Sequence, residues 1–284
     1  MTAQPAAAAT GTRRAAGAAL PGVWRIGMAR VGVELRAFFR EKQAVVFVFS
    51  LPAVLLVLLG SIFRGLAAGH GFSVGELFAA GLIGGGIMST SFQYLGISIA
   101  TERELGLLKR LRGTPMPGAA YFIGKTGLVL ISTIAETAIL VVVGMLVDHL
   151  RLPASAGRWW TFAWVFVLGT IACTLLGIAA SSVPRSARSA TAVITLPFVV
   201  LQFISGVYVP FTLVPPWLRD IGSIFPLKWI CQGLRSVFLP AQAASLEPAG
   251  TWEHGRIALV LTAWIAAGLV LCLTTFRWQR QSDR

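Results

Sequence analysis

The sequence predicts an all-α integral membrane fold, and three observations carry the prediction. Six stretches of about 20 residues are apolar and, Glu136 aside, carry no charge, the length that crosses a hydrocarbon core about 30 Å thick at 1.5 Å per residue. Hydrophobic residues make up 56% of the chain and charged residues only 12%, with a mean hydropathy of +0.76. A soluble domain carries about 25% charge. The 24 Lys and Arg are also sorted by side. Only Arg64, Arg151, Arg158, Arg219, Lys228, Arg235 and Arg256 fall opposite the N-terminus, so the positive-inside rule makes both termini cytoplasmic. The net charge of +13 has this origin, since no contiguous basic face of the kind nucleic acid requires is present.

Residues 1–22 form an Ala-rich stretch with Arg13 and Arg14, read as a disordered cytoplasmic tail. The remainder, 23–284, reads as one transmembrane domain. Its first element, 23–42, is an amphipathic interfacial helix. Trp24, Met28, Val31, Leu35, Phe38 and Phe39 fall on one side, and Arg25, Arg30, Glu34, Arg36 and Arg40 on the other. The spans are expected at about 44–63, 77–100, 126–147, 159–182, 189–210 and 257–276. Pro52 and Pro197 can kink their helices, and Gly81, Gly84, Gly85 and Gly86 allow close packing.

Between the second and third spans lies a charged island, Thr101 to Pro115. Glu102, Arg103, Glu104, Lys109, Arg110 and Arg112 each cost several kcal/mol in hydrocarbon, so the island sits in water. It reads as a short helix opened by a Thr101/Glu104 capping box and closed by Gly113, with Leu105, Leu108 and Leu111 on one face. A solvated turn with a basic anchor and a partner-docking helix both fit these features. Between the fifth and sixth spans, Pro216-Trp217 and Phe225-Pro226 punctuate apolar pieces that carry Arg219, Asp220, Lys228 and Arg235. These are expected to be short re-entrant helices on the external side.

Little chemistry is on offer. Cys173, Cys231 and Cys272 have no metal-site or disulfide spacing, and His70, His149 and His254 fall in external loops beside no nucleophile. Gly124-Lys125-Thr126 lacks the spacing and the buried strand of a phosphate-binding loop, so Lys125 reads as the cytoplasmic end of the third span, snorkelling to headgroups. Glu136 is the one carboxylate well inside a span. A proton or cation site and a structural hydrogen bond both account for it.

Glu102-Arg103-Glu104-Leu105-Gly106 through Leu111-Arg112-Gly113-Thr114-Pro115 resembles the signature of ABC-2 type permeases. So does the later set Ser205-Gly206, Tyr208, Pro210, Pro216-Trp217-Leu218, Pro226 and Arg235, with Phe225 where the family often has Asn. The likeness is closest to the daunorubicin-resistance type of drug exporter permease. It implies a six-span permease that pairs with a second permease and with two copies of a separate ATPase, which would hold ATP and Mg. This chain then needs no cofactor or catalytic residue. The resemblance also implies that the helix carrying Glu102, Arg103, Glu104, Leu105, Leu108 and Arg112 couples to that ATPase. It places the first, second and fifth spans along a path for a hydrophobic or amphiphilic cargo. The rival expectation is a proton-coupled transporter acting through Glu136, and a third is a non-transporting membrane scaffold.

Overall fold

The computed structural model describes residues 22–63, 72–147 and 150–276, all helix, turn or coil. All but one residue of the expected tail lies outside these ranges, as do Arg64, His70, His149 and the basic residues after 276. The chain opens with α1 (Val23–Arg40), and after a single intervening residue, Glu41, continues into α2 (Lys42–Ile62). A rod follows, made of α3 (Val74–Met88), a π-helical segment (Ser89–Tyr94) and α4 (Leu95–Glu104). Then come α5 (Leu107–Arg112), α6 (Gly118–Val147), α7 (Ala156–Ala180) and α8 (Ala187–Ile204). Two shorter helices, α9 (Pro216–Ile224) and α10 (Pro226–Phe238), precede α11 (His254–Thr275).

Among the described residues five single helices are long and apolar enough to cross a membrane: α2, α6, α7, α8 and α11. The expected second span corresponds to the three-part rod. Its junctions, Ser89 and Leu95, keep right-handed helical dihedrals, so the rod continues through the π turn.

Two boundaries move for physical reasons. α6 begins at Gly118, well before the expected 126, because the charge of Lys125 is paired inside the protein and does not end the helix. The fifth span stops at Ile204 where 210 was expected, since Gly206 turns left-handed at φ +83. Pro52 and Pro197 both lie inside helices that continue past them.

Packing centres on α10, all of whose residues are buried among α3, α7 and α11. Two short helices, α9 and α10, thus stand where re-entrant ones are expected, the second enclosed by the bundle. A smaller core near the island joins Leu95, Ile99, Leu108, Tyr121, Val129 and Ile178.

α1 lies against α6. Gly124 makes this possible, because a Cβ there would meet the Arg30 side chain at 2.4 Å. The glycine of the apparent phosphate-loop motif thus serves helix crossing. α1 also departs from its expected wheel. Its buried line is Gly27, Val31, Glu34 and Phe38, while Trp24, Met28 and Phe39 are exposed. Glu34 turns inward because a cation waits for it there.

Candidate functional site

That cation is Lys125. Fully buried on α6, its Nζ donates to Glu34 Oε2 of α1 at 2.9 Å, to Ser98 Oγ of α4 at 3.2 Å and to Glu102 Oε1 of α4 at 2.5 Å. Arg30 closes on the other Glu34 oxygen at 2.7 Å, and the Tyr121 hydroxyl donates to Glu102 Oε2 at 2.8 Å. Three helices far apart in sequence are tied at one point. Lys125 does not snorkel: two carboxylates already neutralise it, so it has no need of headgroups.

The other two charges of the signature are also used internally. Arg103 donates to the Ser181 carbonyl at the C-terminal end of α7, and Glu104 accepts from Ala187 N, the first residue of α8. A cation at a helix C-terminus and an anion at an N-terminus each suit the helix dipole. The island therefore clamps the α7–α8 turn.

The expected capping box at Thr101 is absent, because the rod runs through Thr101, whose carbonyl accepts from Leu105 N. The break comes at Gly106, left-handed at φ +71, where a side chain would be strained. The expected leucine face splits at this break. Leu108 is buried, Leu111 half-buried and Leu105 64% exposed beside Leu107, Arg110 and Arg112.

A groove of about 1000 Å³ runs along the bundle between α2, the rod and α8. Glu41, Thr101 and Glu102 border its island end; Leu59 and Tyr208 border the other. Its walls are apolar except for Ser89, Ser98, Gln93, Thr195 and Gln202, with Gln93 Nε2 donating to Thr195 Oγ1 at 2.9 Å across the two walls. Tyr208 OH donates to Gln202 Oε1. These are the first, second and fifth expected spans.

Glu136 lies behind this groove on α6, 1% exposed, with Oε2 accepting from Thr90 Oγ1 of the π segment at 2.8 Å.

At the end remote from the island, Arg235 of α10 pairs with Glu247 at 2.6 and 2.8 Å and donates to the Gly206 carbonyl at 2.7 Å. Ser205 is buried beside Gly206. Pro216 and Pro226 occupy first turns, where the missing N–H costs nothing, and Trp217 is exposed. Lys228 is buried, donating to Gln232 Oε1 with its ammonium 3.7 Å from the Trp229 ring centre.

Sequence reasoning missed Glu34, Lys125, Gln93 and Gln232. For Glu34 and Lys125 the available signal was charge balance, since a lysine inside a continuous helix needs a carboxylate on another one.

A family description of ABC-2 type transporters matches residues 30–239. Among relatives, the chain is 28% identical over 198 residues to a protein of Porphyra purpurea named as transport permease ycf38. That match covers 66% of this chain and 65% of the relative. It is 26% identical over 167 residues to an Escherichia coli K12 protein named as multidrug ABC transporter permease YbhR, covering 59% of this chain and 44% of that one. Likeness to the inner membrane transport permease YadH of the same organism is 23% over 173 residues, covering 60% and 65%. The chain thus spans less than two thirds of the length of the relatives it matches. With most of the helical bundle inside the matched range, the chain belongs to the ABC-2 type transporter family.

Proposed function

We propose that the chain is the membrane-spanning permease of an ATP-binding cassette exporter, moving a hydrophobic or amphiphilic cargo, drug-like or lipid-like, out across the plasma membrane. The observation that carries this reading is the groove, which follows three helices from the charged island to the Tyr208 end and is walled by apolar side chains. Such lining, with few convergent polar groups, suits apolar ligands.

In this reading ATP and Mg are held by a separate ATPase, present in two copies, and this chain performs no catalysis. A second permease closes the open side of the groove along α2 and α8, where Phe47, Leu51, Val199 and Phe203 are exposed. The island end is cytoplasmic, as are both termini. Leu105, Leu107, Arg110 and Arg112 form the surface offered to the ATPase. Glu102, Arg103 and Glu104 act behind it, passing displacement of the island to α1, α6, α7 and α8.

The test is co-purification of the tagged chain from its native membrane in mild detergent, with mass spectrometry of what accompanies it. We expect an ATPase at about one per permease, and its loss on Leu105→Glu with Leu107→Glu while the permease stays folded. Reproducible absence of any ATPase from the folded wild type would overturn the reading.

A further inference from the structure

We infer that Glu136 is the anchor for a cationic group on the cargo, so that the groove selects amphiphiles bearing a protonated amine. The inference rests on the groove being the transport path. Glu136 is buried, with one carboxyl oxygen held by Thr90 and the other, Oε1, without a hydrogen-bond partner. An unsatisfied carboxyl oxygen at this depth is costly, and a partner is the usual remedy.

The unpaired oxygen faces Gly86. A Cβ built on that glycine would lie 2.5 Å from Oε1, and Gly86 is itself part of the groove wall. Only a residue without a side chain therefore separates the carboxyl from the cargo space. The residues beside this window, Ser89, Gln93 and Gln202, are neutral, and the charged groups lining the groove, Glu41 and Glu102, stand at its island end. Among the described residues Glu136 is thus the one acidic or basic side chain near the middle of the groove. An ammonium lodged at Gly86 supplies both the missing donor and the opposite charge, whereas a neutral hydroxyl supplies only the first.

The experiment measures equilibrium binding of radiolabelled dodecylamine and dodecanol, one chain with two headgroups, to the co-purified transporter in lipid nanodiscs, with empty nanodiscs subtracted. Loss of a charge-assisted hydrogen bond predicts that Glu136→Gln weakens dodecylamine on the order of 10- to 100-fold and leaves dodecanol within about twofold. Gly86→Ala, which closes the window but keeps the carboxyl, is expected to shift selectivity in the same direction. Unchanged dodecylamine binding in Glu136→Gln overturns the anchor, and so does equal loss of both probes, which makes the residue structural.

Leu55→Trp, which fills the groove and leaves the residues exposed along its open side unchanged, separates the two readings. If it removes both probes while Glu136→Gln alters neither, the groove stands and the anchor falls. If it leaves both bound as in wild type, the groove is not the binding place and both readings fall.

Discussion

Two buried lysines at opposite ends of the bundle meet opposite circumstances. Lys125 is shared between Glu34 and Glu102, carboxylates from two other helices. Lys228 has a single amide oxygen and the faces of Trp229 and Phe211, with no carboxylate within ion-pairing distance among the described residues. The first is a joint between distant parts of the chain. The second is a charge held in place by the burial of its own helix. A buried cation thus serves as a fastener only when the counter-charges come from elements that would otherwise separate.

The comparison is broken most forcefully at Lys125. Lys125→Met leaves Glu102 without its cation and Glu34 with Arg30 alone, and removing one partner of a buried ion pair costs about 3–5 kcal/mol. We expect a large fall in thermal stability in detergent, with partial recovery in the double variant carrying Glu102→Gln. A Glu102→Gln cost that is the same with and without Lys125 would mean that Glu102 and Lys125 are not coupled.

Lys228 gives a smaller effect with a distinctive pH signature. Burial pushes its ammonium down to about 8 from an ordinary 10.5, with Glu247 and Glu253 opposing and Arg235 and Arg256 reinforcing. Between those two values the unfolded chain binds the proton and the folded one does not, so stability rises with pH across that window and is flat below about 8. The full rise is at most about 3 kcal/mol. Unfolding followed from pH 7.5 to 10 is expected to show it in wild type and not in Lys228→Met. A parallel rise in both proteins would assign it to other groups.

The smallest effect sharpens the island end. Glu104→Ala removes the acceptor from the first turn of α8 and is expected to cost about 1 kcal/mol. Hydrogen exchange should show it as faster opening confined to the start of α8, while Lys125→Met loosens α1, α4 and α6 together.

Much of this architecture is legible from the residues. Long apolar runs with little charge mark α2, α6, α7, α8 and α11, because hydrocarbon admits few alternatives to a helix. Pro216 and Pro226 mark the starts of α9 and α10 by the same local logic. The island misled where a local signal met a continuing helix: Thr101 and Glu104 have capping-box spacing, yet the rod runs through them and stops at Gly106. Glu34 misled for a different reason. Helical periodicity assigns a glutamate to the polar face, and only the partner on α6 turns that face inward. Pairings across distant helices, and the glycine window before Glu136, are tertiary facts that no single stretch announces.

The π turn at Ser89–Tyr94 has a mechanical consequence. It holds one residue more than the α-helical path, and one residue is worth about 100° of helical phase. The half of the rod before the turn and the half bearing Glu102 are thus set out of phase by roughly that angle. Relaxing the extra residue, or shifting it along the rod, would turn the lower half about its own axis like a crankshaft. Glu102 would swing away from Lys125 as Gln93 left Thr195. Displacement of the island and the opening between two walls would then be a single rotation.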